Sequence, residues 1–178
     1  MARYAMTVDE RLCVTCNACV IACKSENQVP DGAARCWTVQ EEHGTFPLLA
    51  LTTRSERCNH CERAPCVSAC PTGASHYETG GFVEVAPEKC VGCKACILAC
   101  PYEARYLHPD GYVDKCSFCL HRVGNGQDPA CVTVCPTTAL AFGDLDDPRS
   151  LVHRQLQARS SKVLKPEEDT RPKLFFLR

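Results

Sequence analysis

Cysteines in four short runs are the residues of this protein best suited to chemistry. The first run is Cys13, Cys16, Cys19 and Cys23, spaced C-x2-C-x2-C-x3-C. The second is Cys58, Cys61, Cys66 and Cys70, spaced C-x2-C-x4-C-x3-C and followed by Pro71. Cys90, Cys93, Cys96 and Cys100 repeat the first spacing and end in Pro101. Cys116, Cys119, Cys131 and Cys135 are spaced C-x2-C-x11-C-x3-C and end in Pro136. Sixteen of the seventeen cysteines fall in these runs, leaving only Cys36. Three thiolates two residues apart fold a loop around one face of an iron–sulfur cubane. A cysteine four positions further leaves that loop, and in two-cluster ferredoxins it reaches the other cluster. A following proline cannot continue a hydrogen-bonded helix or strand, so it fixes the exit of the chain. Small or apolar residues between the ligands, such as Val91-Gly92 and Ile97-Leu98-Ala99, let backbone amides approach sulfur and tune its potential. The chemistry implied is electron transfer through four [4Fe–4S] clusters.

Two other uses of cysteine fit less well. A zinc site would take two C-x2-C pairs, such as Cys58/Cys61 and Cys116/Cys119, and leave the rest of every run unexplained. A disulfide scaffold is disfavoured by the odd count, the absence of a secretion signal and the repetition of one metal-like spacing. The first run has Lys24 where the others have proline; with all four cysteines present, it reads as a cluster site with a different exit.

Repeated runs need repeated supports, so a pseudo-symmetric fold is expected. Nineteen residues separate Cys70 from Cys90, and there Gly80-Gly81 precedes an alternating Phe82, Val83, Val85, the pattern of a hairpin. Residues 56–114 thus read as a complete two-cluster module, with the first and fourth runs forming a second around it. Thr137 to Asp144 parallels Thr72 to Tyr77, each directly after a Cys-Pro, which predicts one short strand after each helix. Residues 24–55 are an insertion in which Val39, Phe46 and Leu48–Leu51 supply strands or a cover. Leu151–Gln157 reads as a short helix, residues 165–173 as extended chain, and Leu174-Phe175-Phe176-Leu177 as a strand or a docking terminus. Crossover of ligands can pair the first run with the fourth and the second with the third, or pair the runs sequentially; spacing leaves both open.

Composition bounds the rest. The chain has 178 residues, one tryptophan and six phenylalanines, a thin conventional core for that length, so bound metal is expected to organise the interior. Net charge is −1 with no dominant basic stretch, which gives no nucleic-acid signal, and no nucleic-acid partner is expected. Four clusters with their thiolates would add about −8 and make the holoprotein acidic. No apolar run approaches the ~20 residues of a membrane helix, and no export signal is apparent at the N-terminus. No Walker loop, G-x-G-x-x-G or nucleophile elbow is present. An enzyme with an open iron site is disfavoured because every run has its fourth cysteine.

The set of motifs resembles the four-cluster iron–sulfur subunits of the molybdopterin oxidoreductase superfamily, most closely the polysulfide/thiosulfate reductase type. The stretches that carry the resemblance are Leu12–Cys19, Cys58-Asn59-His60-Cys61, Cys100–Tyr106, Lys115–Cys119 and the tail Arg171–Leu177. It implies an α+β fold of two interleaved bacterial-type dicluster ferredoxin modules with pseudo-twofold symmetry, irregular loops and a C-terminal extension. Residues 1–55 with 115–145 would form the outer module, 56–114 the inner, and 146–178 a docking extension. It favours the nested pairing and hence four sets. These are Cys13, Cys16, Cys19 and Cys135; Cys23, Cys116, Cys119 and Cys131; Cys58, Cys61, Cys66 and Cys100; and Cys70, Cys90, Cys93 and Cys96. It implies a hetero-oligomer with a molybdopterin-containing catalytic subunit and a polytopic quinol-binding membrane subunit. The chain itself would not be catalytic. It would lie peripheral to the bacterial cytoplasmic membrane, with a periplasmic position by co-export favoured over a cytoplasmic one. Outside the ligands, Cys36 reads as a buried inert thiol. His60 reads as a hydrogen-bond partner of cluster sulfur or a structural imidazole. His121 and Arg122 read as neighbours of a cluster, a partner face or solvent.

Overall fold

The structure, a computed structural model, describes residues 2–178. Its elements are short because proline and cysteine loops interrupt them. β1 (Tyr4–Asp9) leads into the first cysteine run and α1 (Ala18–Asn27). β2 (Cys36–Thr45) and β3 (Leu48–Arg57) form a long antiparallel hairpin, with Cys36 opposite Arg57 at its base and Thr45 opposite Leu48 at its tip. α2 (Pro65–Ser68) follows, then the hairpin of β4 (Ser75–Glu78) and β5 (Phe82–Val85). α3 (Ala95–Leu98) precedes a second small hairpin, β6 (Arg105–Leu107) with β7 (Val113–Lys115). α4 (Leu120–Val123), α5 (Ala130–Thr133), β8 (Leu140–Asp144), α6 (Leu151–Ala158), β9 (Ser161–Lys162) and β10 (Leu174–Leu177) complete the chain. The fold is α+β.

The one larger sheet has the order β8-β1-β10-β9. β10 lies parallel to β1, Met6 beside Leu174 and Val8 beside Phe176, and β8 runs antiparallel to β1 on its other side. Leu174, Phe176 and Leu177 are fully buried. Of the two readings of this tail, the strand is the one observed: an apolar strand next to an open edge of β1 stabilises the molecule by pairing there, at about 1.5–3 kcal/mol per large buried side chain. The preceding stretch is tied down as well. Glu62 N–H donates to the Arg171 carbonyl at 2.9 Å, Arg63 N–H to Thr170 at 2.9 Å, and Lys173 N–H to Asn59 at 2.9 Å. Residues 165–173, expected to be extended, also contain a 3-10 turn at Pro166–Glu168.

The insertion works partly as a cover. Near its base the β2–β3 hairpin lies over the first run: Thr38 Oγ1 donates to Asn17 Oδ1 at 2.8 Å, Gln40 Nε2 donates to Thr15 Oγ1 at 2.6 Å, and the Thr53 hydroxyl donates to the Cys13 carbonyl. At the tip the apolar residues point to solvent, with Phe46 and Leu48 more than 80 % exposed. The core lies instead under the cysteine runs, where Phe118, Phe82 and Val83 pack among Cys58, Cys61, Cys66, Cys116 and Cys131.

Candidate metal centre

The four runs share a local geometry that their spacing dictates. In each, the third cysteine is the second residue of a helix: Cys19 in α1, Cys66 in α2, Cys96 in α3 and Cys131 in α5. In each, the residue before the second cysteine has a left-handed backbone: Thr15 (φ 50°), His60 (φ 43°), Gly92 (φ 65°) and Phe118 (φ 50°). Gly92 has a further reason, because a Cβ there would stand 2.5 Å from the Gly111 carbonyl oxygen. For the other three the conformation costs on the order of 1–3 kcal/mol each and persists only where the surroundings demand it. At Phe118 the turn aims a backbone N–H inward, as in an anion-binding nest. Phe118 N–H donates to Cys116 Sγ at 3.4 Å, Ser75 N–H to Cys70 Sγ at 3.3 Å and Val113 N–H to Cys90 Sγ at 3.4 Å.

The exits divide three to one. After Cys70, Cys100 and Cys135 a proline stops a four-residue helix, and the third residue on is left-handed: Gly73, Glu103 and Thr138. Lys24 permits α1 to run on to ten residues. That extra turn delivers Asn27, whose Nδ2 stands 3.7 Å from both Cys23 Sγ and Cys119 Sγ. Arg35 Nη1 holds the Asn27 side-chain oxygen at 2.9 Å while pairing bidentately with Asp114 at 2.9 and 2.8 Å.

Folding brings distant cysteines together. One small cavity is lined by Cys13, Cys16, Cys19 and Cys135, a second by Cys23, Cys116, Cys119 and Cys131, and a third by Cys58, Cys61, Cys66 and Cys100. Cys70 and Cys90 both lie close enough to Cys96 to add to the burial that pushes its thiol up, with Cys93 exposed in the same loop. Cys36 also lines the second cavity, fully buried, its thiol 3.5 Å from the Cys19 carbonyl, and burial among other thiols holds it up at about 12.

The donor set fits a cluster better than a single ion. Four thiolates about 2.3 Å from one zinc would stand about 3.8 Å apart, yet among the described residues no three His, Cys, Asp or Glu side chains are placed to share one ion. Burial pushes the Cys116 and Cys131 thiols above the ordinary cysteine range and Cys61 up to about 12. Such thiols keep their protons unless a Lewis-acidic metal takes the sulfur lone pair and the proton is released to water. Buried polar atoms around them lack partners: Asn59 Nδ2 and Oδ1, Arg57 Nε, and Arg105 Nε and Nη1. Cluster sulfides would accept from the nitrogens among these.

Other expected residues take different places. His60 is completely buried, and both its ring nitrogens bond to backbone groups rather than to a thiol. Val83 N–H donates to its Nδ1 at 3.0 Å, so Nε2 carries the proton and donates to the Cys116 carbonyl at 2.9 Å. Burial and the charges of Lys115 and Lys173 hold its pKa well below the usual range, keeping it neutral. His121 and Arg122 both grip Glu26, at 2.8 and 3.0 Å, and so clamp α4 to α1. Sequence reasoning missed Arg57 and Arg105, whose guanidiniums donate to Cys131 Sγ at 2.8 Å and Cys66 Sγ at 2.9 Å. The adjacency of Arg57 to Cys58 is the one signal that pointed to it.

Two family profiles described as 4Fe-4S dicluster domains match the chain, at residues 6–74 and 49–145. Fold and profiles together define a 4Fe–4S iron–sulfur protein, with enough cysteines for four [4Fe–4S] clusters. The B subunit of polysulfide reductase from Wolinella succinogenes is 46% identical, over 98% of this chain and 94% of that one. Protein NrfC of Escherichia coli is 45% identical over 97% and 79%. Thiosulfate reductase electron transfer subunit PhsB of Salmonella typhi is 46% identical over 90% of each. The chain belongs to the iron–sulfur subunits of the molybdopterin oxidoreductase family.

Proposed function

We propose that this chain is an electron relay, holding four [4Fe–4S] clusters in line between a molybdopterin catalytic subunit and a quinone-reactive integral membrane subunit. The observation that carries the reading is the serial order of the thiol groups. Cys19 of the first set and Cys131 of the second flank Arg57. Cys58 of the third set lies close enough to Cys116 of the second to add to the burial that pushes its thiol up, and His60 bridges their two loops. Cys66 of the third set and Cys96 of the fourth flank Arg105. The order is thus first, second, third, fourth, and it starts and ends at exposed thiols, Cys16 and Cys93.

In this reading the ligands are Cys13, Cys16, Cys19 and Cys135 for cluster 1, and Cys23, Cys116, Cys119 and Cys131 for cluster 2. Cys58, Cys61, Cys66 and Cys100 hold cluster 3, and Cys70, Cys90, Cys93 and Cys96 hold cluster 4. When bound, each cluster supplies a one-electron couple. The chain's own residues exclude water from the middle of the line, orient the sulfurs and donate hydrogen bonds to them. Residues 1–55 with 115–145 and residues 56–114 act as outer and inner dicluster modules related by a pseudo-twofold axis. The exposed apolar residues beside the end thiols, Val14, Val91 and Leu98, suit partner contacts. The relatives are named as subunits of reductases or as electron transfer subunits, which supports a hetero-oligomer. Among the described residues no helix is long and apolar enough to cross a membrane, consistent with attachment through another subunit.

Anaerobic purification with iron and sulfide analysis tests the reading. About sixteen irons per chain are expected, as four cubanes require; four or fewer overturn it. Co-purifying subunits then identify the two partners.

A further inference from the structure

Two arginines with little exposure are neutralised by carboxylates. Arg35 pairs with Asp114 at 2.8 Å, and Arg54 pairs with Glu41 and Glu56 at 2.5 Å each. Arg57 and Arg105 differ. They are 1 % and 5 % exposed, and among the described residues neither has a carboxylate partner. An uncompensated buried charge costs several kcal/mol, so an anion must meet it. What surrounds both guanidiniums is sulfur. Arg57 donates through Nη1 to Cys131 Sγ at 2.8 Å and through Nη2 to the Ser55 hydroxyl, which lies 3.4 Å from Cys19 Sγ. Arg105 donates through Nη2 to Cys66 Sγ and to Ser75 Oγ, both at 2.9 Å, and Ser75 N–H donates to Cys70 Sγ at 3.3 Å. Each arginine thus reaches one thiol set directly and the next through a serine, and Arg57 Nε and Arg105 Nε and Nη1 remain buried without partners.

We infer that Arg57 and Arg105 are paired tuning residues, each shared by the two clusters of one module and each holding the reduction potentials of both clusters up. The inference rests on the four-cluster reading. Adding one electron makes a cluster more negative by one charge, and a fixed positive charge in a low-dielectric interior stabilises that reduced form. Because each guanidinium sits between two sets, its charge acts on both at once. The two arginines arrive by unrelated routes, Arg57 at the end of the β2–β3 insertion and Arg105 in β6. The same charge therefore stands in both modules without a shared sequence motif.

Redox titration of the purified full chain, followed by electron paramagnetic resonance, tests this. Arg105→Gln should lower two of the four potentials and leave two in place, and Arg57→Gln should lower the other two. The expected shift is at least a tenfold change in the reduction equilibrium, about 59 mV for one electron. Arg→Lys at each position should restore most of it. Gln variants that keep all their iron and all four potentials overturn the inference, as does a uniform shift of all four. Lys variants as low as Gln overturn it too, since shape rather than charge would then be at work. If the Gln variants fail to assemble, Ser55→Ala and Ser75→Ala decide. Each leaves the arginine but removes the hydroxyl to which it donates, while the Ser75 backbone N–H keeps its bond to Cys70 Sγ, so a smaller downward shift confined to the adjacent pair supports the inference, and no shift overturns it. A wild-type chain with four irons or fewer defeats the four-cluster reading itself, an outcome separate from any of these.

Discussion

The two ends of the thiol line and its middle are built differently. At the ends, Cys16 and Cys93 are exposed and Cys13, Cys70, Cys90 and Cys135 half-buried. Val14 and Val91, each directly after the first cysteine of its run, face solvent. In the middle, Cys23, Cys116, Cys119 and Cys131 are all buried, as are Cys58, Cys61 and Cys66. There the residue after the first cysteine is polar, Asn59 or Ser117. One spacing motif thus serves two purposes. At the ends it leaves thiols within reach of other molecules; in the middle it replaces the apolar core that the sequence lacks.

The largest effects should separate these purposes. Cys116→Ser removes a fully buried donor from the centre of the core, and loss of a structural metal site commonly abolishes folding. We expect the yield of folded chain to collapse, read as soluble protein and as loss of a cooperative thermal transition. Cys16→Ser should cost about four of sixteen irons and leave the transition in place. Cys135→Ser should remove the same cluster as Cys16→Ser, by its electron paramagnetic resonance signal. Loss instead of the cluster held by Cys116 and Cys119 would overturn the nested ligand sets.

A smaller effect is expected at the exit that distinguishes the first run. Lys24→Pro gives it the proline of the other three but places that proline inside a ten-residue helix. It should shorten α1, at a cost of about 3 kcal/mol, and remove the bonds from Lys24 Nζ to the Pro30 and Ala33 carbonyls. Thermal unfolding of the holoprotein reads the loss; an unchanged midpoint would mean the long exit is incidental. His60→Leu should follow at about 1–3 kcal/mol, the cost of stranding the buried Val83 N–H and Cys116 carbonyl.

Legibility in the sequence follows the same division. The runs, the hairpin at Gly80-Gly81, the strands after Cys-Pro and the helix near Leu151 were readable because local spacing and turn chemistry determine them. The place of Leu174–Leu177 was not, because an apolar tetrapeptide looks the same whether it awaits a partner or pairs with β1. Arg57, Arg105 and Asn27 were hidden for a related reason: each acts on cysteines of other runs, 74, 39 and 92 residues away. His60 was readable as important, yet its partners, Val83 and Cys116, lie on β5 and in the fourth run.

Asn27 gives the finest test of how the middle is tuned. Its Nδ2 lies 3.7 Å from Cys23 Sγ and Cys119 Sγ and 3.0 Å from the Cys23 carbonyl. A neutral amide at that distance is a weak donor, so it contributes less to potential than a guanidinium against sulfur at 2.8 Å. Asn27→Ala should therefore lower the potential of the second cluster alone, by less than either arginine variant, with stability falling by no more than about 1 kcal/mol. Asn27→Asp puts a negative charge near the same two sulfurs and should lower that potential further, unless Arg35, 2.9 Å from the side-chain oxygen, neutralises it. Double substitution with Arg35→Gln separates the two. If Asn27→Asp lowers the potential only when Arg35 is gone, the buried Arg35–Asp114 pair extends electrostatic control to the middle of the line; a shift already complete in the single variant would confine that control to groups touching sulfur.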